Sequence, residues 1–238
     1  MPPTLVAVSP SSTTPLGSSV TQDYLKVIWS ACEWSEQPVT TKLLASRLGV
    51  GASTVSETVR RLADAGLVTH EPYGAVGLTD EGRAHALAMV RRHRLIETFL
   101  VEVLGYSWDE VHDEAEVLEH AVSDVFLDRV ADQLGHPRRD PHGDPIPGRD
   151  GSIEMPDATV LWEAEPGPWA VARISDADPE LLRYLGSVGL LLDVPVTVVE
   201  RRTVTGVIAV RVGDEGGEPR SVDIGEVAAR AIWLVRAG

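Results

Sequence analysis

Residues 40–79 read TTKLLASRLGVGASTVSETVRRLADAGLVTHEPYGAVGLT, and this stretch decides the fold of the first third of the chain. Thr40 or Thr41 offers a hydroxyl to the unpaired amides opening a short helix, TKLLASRLGV, which Gly49 closes. A further helix follows, in which Val55, Val59, Leu62 and Ala63 face inward at helical spacing. Ser53, Thr54, Ser56, Glu57, Thr58, Arg60 and Arg61 populate its other side, and Gly66 ends it. A helix, a glycine turn and a small-polar helix with late arginines form a helix-turn-helix pattern. Leu67–His70 and Ala75–Thr79 then predict two short strands around the Pro/Gly turn Glu71–Gly74, a β-wing. The whole reads as a winged helix, with a small protein-binding helical domain as the alternative. Hydroxyls at Ser53, Thr54, Ser56 and Thr58 suit phosphates or base edges; Arg61 suits a base and Arg60 a phosphate.

Outward from this stretch, residues 20–35 place Tyr24, Leu25, Ile28, Trp29 and Cys32 at helical spacing, with Thr21 as the expected N-cap and Pro38 as the stop. Residues 1–19 are rich in Pro, Ser and Thr and carry no Lys or Arg, so they read as a disordered tail rather than a signal peptide. A lone cysteine excludes an internal disulfide framework and fits a reducing cytoplasm; Cys32 itself is expected as a small buried hydrophobe. No apolar run approaches the length of a membrane span.

The formal net charge of −15 argues against polyanion binding by the molecule as a whole, but its distribution matters more. Lys26, Lys42, Arg47, Arg60, Arg61, Arg83, Arg91, Arg92 and Arg94 nearly balance the acids of residues 20–95, so the acidic excess lies beyond them.

Asp80 or Thr79 caps a long helix that carries His93 and Glu97 one turn apart, either a surface pair among arginines or two ligands of one ion. The stretch HDEAEVLEH, residues 112–120, is more pointed. At about 100° per residue, His112, Glu116, Glu119 and His120 fall near 0°, 40°, −20° and 80°, so all four donors share one helical face. A solvated face would carry Lys or Arg, and none stands between Tyr106 and Phe126. A divalent-metal site is favoured over an acidic surface. The two histidines are separated by about 12 Å of rise, which suggests two centres rather than one. Leu95, Ile96, Phe99, Leu100, Val103, Val122, Phe126, Leu127 and Val130 offer a helical dimer interface.

Residues 135–151 are dense in Pro, Gly and charge and read as linker, with His136 and His142 exposed. From about Ala158 the texture changes to the short strands ATVLWEA, WAVARIS, VPVTVVE, GVIAVRV and AIWLVR. PELLRYLGSVGL supplies one helix and IGEVAARAI a second short one, giving a small, partly open SH3-like barrel. Trp29, Trp34, Trp162, Trp169 and Trp233 are expected to pack rather than to stack on bases.

DYLKVIW at 23–29, STVSETVRRL at 53–62, RRHRLIETFL at 91–100, HDEAEVLEH at 112–120 and DPHGDPIPG at 140–148 together resemble the diphtheria-toxin-repressor (DtxR/MntR) family of metal-dependent transcriptional regulators. The similarity covers Val20–Gly238 and looks nearest to the actinobacterial manganese-responsive members. It implies an α+β multidomain chain: a tail at 1–19, a winged-helix DNA-binding domain at 20–83, and a helical dimerisation and metal-binding domain at 84–139. A Pro/Gly-rich linker at 140–157 and an SH3-like (FeoA-like) domain at 158–238 complete it.

The resemblance further implies a primary site of Asp23, Glu116, Glu119 and His120, and an ancillary site of His93, Glu97 and His112. Asp176 is the candidate donor from the SH3-like domain and Glu180 a weaker one, because the loop RISDADPE is shorter than in the family. Iron-type members carry a sulfur ligand where this chain has Asp23 and Glu116, and hard oxygen donors favour Mn²⁺. Shorter manganese members use an acid where this chain has Lys26, so two separated sites are expected instead of a two-ion one.

The expected activity is Mn²⁺-activated repression of metal-uptake genes by a cytoplasmic homodimer on double-stranded operator DNA, without enzyme activity, membrane or small-molecule substrate. Fe²⁺ is the alternative activator, and Co²⁺ or Zn²⁺ substitutes in vitro. Two further readings stay open: a metalloenzyme with Glu114 as base beside a metal-bound water, and a metal-binding accessory module.

Overall fold

The computed structural model describes residues 18–35, 37–70, 74–213 and 219–237. Residues 1–17 of the tail expected at 1–19, and the tip of the expected wing at residues 71–73, lie outside the described residues; Ser18 and Ser19, assigned to that tail, instead cap and open a helix. The chain divides into two compact units, residues 1–90 and 91–238.

In the first unit, α1 (Ser19–Glu33) is capped by Ser18, whose hydroxyl accepts from the Thr21 amide, so the cap stands one turn earlier than Thr21. Thr40 caps α2 (Thr41–Leu48), and Gly49 closes it at φ 64°. Helix α3 (Ala52–Asp64) follows, and then β1 (Val68–His70) pairs antiparallel with β2 (Val76–Leu78). Leu25, Ile28, Leu44, Val55, Val59, Leu62 and Leu67 are buried where these elements pack. Gly82 is required by close approach: a Cβ there would stand 1.9 Å from the Leu67 carbonyl oxygen. Cys32 is exposed, contrary to its expected burial, because it stands on the outer side of the last turn of α1.

Helix α4 (Asp80–Glu102) begins in the first unit and ends in the second. The expected metal-site helix is two helices: α5 (Val111–Leu118) and α6 (Asp124–Gln133), the latter capped by Ser123. Arg92 explains the break. Its Nε donates to the carbonyl oxygen of Glu119 at 2.9 Å, another guanidinium nitrogen donates to the Val122 carbonyl, and Nη1 pairs with Asp124 at 2.5 Å. One cation on α4 thereby satisfies two carbonyls of the turn between α5 and α6 and fixes that turn. Leu95, Ile96, Leu100, Val111, Ala115, Leu127 and Val130 close into one core, so most of the residues expected at a dimer interface are internal. Val103, Leu104, Val117, Val125 and Phe126 are the large apolar residues left exposed in this region.

The C-terminal part of this unit is a six-stranded antiparallel sheet of order β3-β8-β4-β5-β6-β7. Its strands are β3 (Thr159–Val160), β4 (Gly167–Ile174), β5 (Pro195–Arg202), β6 (Val207–Val212), β7 (Arg220–Gly225) and β8 (Ile232–Arg236). Two helices, α7 (Pro179–Ser187) and α8 (Glu226–Ala229), are inserted. Register shifts at Val171/Arg173 and Val198/Glu200 bend β4 and β5, as closing towards a barrel requires. β7 was not anticipated. It is a six-residue edge strand in which only Val222 and Ile224 turn towards the core, so its apolar alternation is just two residues long. Residues 139–147, expected as exposed linker, are largely buried, and His142 is fully so.

Candidate metal centre and nucleic-acid interface

Four donors meet within the second unit. His93 and Glu97 sit one turn apart on the buried face of α4, at 7% and 1% exposure. His112 comes from the first turn of α5, and Asp176 follows β4. The His93 Nε2 atom lies 3.0 Å from Glu97 Oε1, and His112 Nδ1 lies 3.4 Å from the same oxygen and 3.0 Å from Asp176 Oδ2. One ligand atom from each of the four falls within 4.8 Å of the others. The expected ancillary residues, with Asp176, are therefore assembled; Glu180 is exposed at the start of α7 and stands outside the group.

The electrostatics of this cluster suit a cation. Burial works against charge on Glu97, but the His93 charge and the two imidazoles set close beside it outweigh that and hold the carboxyl well below its usual range. Burial likewise opposes ionisation of Asp176, and His112 more than compensates. His112 itself is disfavoured by burial, yet Asp176 and Glu97 push it up to about 11. The protonated imidazole thus supplies positive charge that one buried and one half-buried carboxylate need. Both oxygens of Glu97 are buried without a hydrogen-bond donor of good geometry. Carboxylate and imidazole donors at these separations fit a hard or borderline divalent ion.

The second expected group lies beside it. Glu116 is in the last turn of α5, while Glu119 and His120 fall just past the helix end, in the turn that Arg92 holds. Glu119 is fully buried, and its Oε1 is 3.4 Å from His120 Nε2. Its Oε2 is 2.6 Å from His93 Nδ1, and Glu116 Oε1 is 3.8 Å from that same nitrogen. His93 therefore faces Glu97 with one nitrogen and Glu119 with the other, so the two groups of donors share a ring. Asp23, the remaining expected primary ligand, stands half-buried on α1 of the first unit.

Sequence reading missed Asp140 and His142. The Asp140 Oδ1 atom accepts from the amides of His142 and Asp144 at 2.8 and 2.9 Å, which turns the chain sharply and buries the imidazole. Its ring lies beside Trp108, 6.0 Å between centroids, and Nε2 is 2.7 Å from the Trp108 carbonyl oxygen. Glu97, Asp140 and His142 form another group with ligand atoms within 4.8 Å. The D-x-x-G-D pattern was the available signal: an Asp that can accept from amides two and four residues on makes such a loop compact rather than extended.

On α3, Ser53, Thr54, Ser56, Glu57, Arg60 and Arg61 are exposed along one side. The Ser56 hydroxyl donates to the Ala52 carbonyl at 2.9 Å. Thr58, expected among the DNA contacts, is buried at 5% exposure. Positions 55, 58, 59 and 62 are the i, i+3, i+4, i+7 stripe of this helix, so Thr58 belongs to the packed face.

Family models match nearly the whole described chain. The iron-dependent repressor N-terminal DNA-binding domain matches residues 18–76, its metal-binding and dimerisation domain residues 79–148, and the FeoA domain residues 163–236. The iron-dependent repressor IdeR of Mycobacterium leprae is 34% identical over 191 residues, 75% of this chain and 83% of that protein. This chain belongs to the diphtheria-toxin-repressor (DtxR/MntR) family. Its fold is accordingly a winged helix, a helical metal-binding and dimerisation domain and a FeoA domain.

IdeR of Mycobacterium tuberculosis (strain ATCC 25618 / H37Rv) is 40% identical over 128 residues, 54% of this chain; the chain spans about half the length of such curated relatives, 55% here. A solved structure described as a manganese-dependent transcriptional repressor complex with manganese shares 58% identity and a TM-score of 0.87, covering 91% of this chain and all of that one. The manganese regulator SloR shares 32% identity and a TM-score of 0.76, over 91% of this chain and 98% of that one. The family is one of DNA-binding repressors, not enzymes, which sets aside Glu114 as a catalytic base.

Proposed function

We propose that this protein is a manganese-activated transcriptional repressor, a cytoplasmic homodimer that binds operator DNA of metal-uptake genes when its two centres are loaded. One observation carries the choice of metal: every donor in the two groups is a carboxylate or an imidazole, and none is sulfur. Such a set suits Mn²⁺, which lies at the weak end of the divalent series and is selected by donor hardness, geometry and supply rather than by affinity. The solved relative described as a complex with manganese supports the same reading. The iron-dependent names of the IdeR relatives make Fe²⁺ the second reading.

In this account the primary ligands are Glu116, Glu119 and His120 of the second unit together with Asp23 of the first. Bound there, the cation supplies positive charge and directed coordination. Left to themselves these carboxylates repel one another. Drawn together, they hold the DNA-reading unit in one orientation. In a two-fold dimer that orientation sets the separation of two α3 helices, which must match successive major grooves about 34 Å apart. Exposed Val103, Leu104, Val125 and Phe126, with Phe126 edge-on to Phe99 at 6.3 Å, form the face proposed for the second copy. On α3, Ser53, Thr54, Ser56, Arg60 and Arg61 are the proposed DNA contacts.

Operator retardation at matched free Mn²⁺, Fe²⁺, Co²⁺ and Zn²⁺ tests the proposal. Mn²⁺ is expected to activate within the physiological range of free metal, and chelator to reverse it; activation by Fe²⁺ alone under those conditions selects the second reading. Arg61→Ala is expected to weaken operator binding by about 1–3 kcal/mol, whereas Thr58→Val leaves the contacts intact. DNA binding that ignores chelator overturns the switch.

A further inference from the structure

Asp176 is the only member of the His93–Glu97–His112–Asp176 group contributed by the FeoA domain, so that domain must be held in register with α4 and α5 for the group to exist. We propose that the turn Asp140–Asp144, gripped by Arg94 and Arg173, is a clip that sets this register, and that Arg173 and Gly143 are positioning residues for the cation at Asp176. The proposal rests on reading that group as a metal centre.

Three contacts join the turn to β4 just ahead of Asp176. The Ile174 amide donates to the His142 carbonyl oxygen at 2.9 Å. Arg173 Nε donates to Asp144 Oδ1 at 2.6 Å, with both side chains under a tenth exposed. Gly143, at φ 92°, lies so close to β4 that a Cβ would stand 2.1 Å from the Ala172 carbonyl oxygen. These contacts fall at three successive residues, 172–174, and Asp176 is two residues further on.

The other side of the turn is held by the helix that bears two of the ligands. Arg94, between His93 and Glu97 on α4, donates from Nη1 to the Pro145 carbonyl at 2.6 Å. Its guanidinium also lies 3.6 Å from both Asp140 Oδ2 and Asp144 Oδ1. Asp144 is thus shared between an arginine on the ligand-bearing helix and an arginine on the ligand-bearing strand. A buried carboxylate between two guanidiniums has a narrow range of acceptable geometry, because any slip strands a charge away from water. Arg173 is fixed in turn by Trp233 of β8, 4.1 Å from its guanidinium carbon to the ring centre. The ionic clip therefore sets where β4 ends relative to α4, and with it the reach of Asp176 to His112.

The test uses the full-length chain titrated with Mn²⁺, followed by calorimetry and by the spin-resonance signal of free Mn²⁺. Asp176→Asn is expected to weaken one of two binding events about tenfold or more, the scale of losses around metal ligands. Arg173→Met and Gly143→Ala are expected to weaken the same event to a similar degree and leave the other unchanged, while Arg173→Lys falls between. Because Arg173 acts through Asp176, the double variant Arg173→Met/Asp176→Asn should bind no worse than Asp176→Asn. Wild-type isotherms for Arg173→Met and Gly143→Ala beside a weakened Asp176→Asn overturn the clip and spare the metal centre. A wild-type isotherm for Asp176→Asn removes Asp176 as a ligand, and the clip falls with it. Equal loss of both events in Arg173→Met and Arg173→Lys, with reduced helix content by circular dichroism, makes Arg173 a folding residue and overturns its positioning role.

Discussion

The two groups of donors differ in how they are supplied. The ancillary group draws His93 and Glu97 from α4, His112 from α5 and Asp176 from the end of β4, all inside one compact unit. The proposed primary group has three donors crowded into α5 and its C-terminal turn, and takes its remaining ligand, Asp23, from the other unit. A site assembled within one unit can bind an ion without moving anything large. A site divided between units turns binding into orientation, because the ion's differential affinity for the joined arrangement is what shifts the population. On this view the first centre braces the second and the second performs the switching.

The largest effect should come from the divided site. Glu119→Gln keeps the shape but removes the charge, and the expected result is loss of the whole metal-dependent gain in operator affinity, about 5–150-fold. Asp23→Ala should do the same from the other unit. Retardation of operator DNA with and without Mn²⁺ measures it, and a Glu119→Gln protein still activated like the wild type would sink the assignment of switching to this group. By contrast His112→Ala, which empties the bracing site and leaves Glu119 in place, should reduce metal stoichiometry yet retain part of the activation at saturating Mn²⁺. Identical losses from His112→Ala and Glu119→Gln would erase the distinction between the two centres.

Arg92→Ala sharpens the comparison at smaller scale. Its guanidinium holds the Glu119 and Val122 carbonyls and Asp124, so the switching donors would lose their support while the bracing donors keep theirs. A stability loss of about 1–3 kcal/mol is expected for bonds made by a charged donor, read by thermal unfolding, with the Mn²⁺ event that Glu119→Gln removes shifted further than the other. Should both events weaken alike, the turn is not a separate support for Glu119.

The centre was more legible than its frame. Side chains that ligate metals announce themselves by type, and HDEAEVLEH lacks the lysines and arginines that would make it an ordinary wet face. Helical spacing also placed His93 and Glu97 together, and it set the inward stripe of α3 apart from its polar side, except at Thr58. There a hydroxyl was read by its chemistry, although the i+3 position from Val55 marked it as packed. The break after Leu118 was hidden because its cause, Arg92, is 27 residues from Glu119 in sequence. The burial of His142 was hidden for a related reason. Pro and Gly ordinarily mark exposed chain, and only the hydrogen bonds gathered by Asp140 make these residues compact. Strand β7 pairs with β6 through its backbone and turns only Val222 and Ile224 to the core, an alternation too short to stand out from a charged, glycine-flanked stretch.

The smallest expected effect concerns the metal-free protein and follows from the signs of its buried charges. His112 is raised to about 11, so the stability it contributes is complete below its unfolded value of 6.5 and declines as pH climbs towards 11. His142, opposed by burial but raised further by Asp140, Glu97 and Asp176, acts in the same direction. Asp140, raised to about 7 by burial and by the carboxylates of Asp144 and Glu97, disfavours folding increasingly from about pH 4 to 7. Glu97 and Asp176 are depressed, so their contributions are already complete above pH 5 and add no slope beyond it. The chelated protein should therefore unfold at lower temperature at pH 9 than at pH 6. The His112 side chain is 38% exposed, and solvent screening keeps the effect to a degree or so. With Mn²⁺ present the slope should reverse, since the ion replaces the proton on His112 and binds more tightly as that proton becomes easier to remove. A chelated protein that gains stability from pH 6 to 9 would show that the bracing group is not held together by protons when it lacks metal, and the contrast between a preassembled and a divided centre would lose its electrostatic basis.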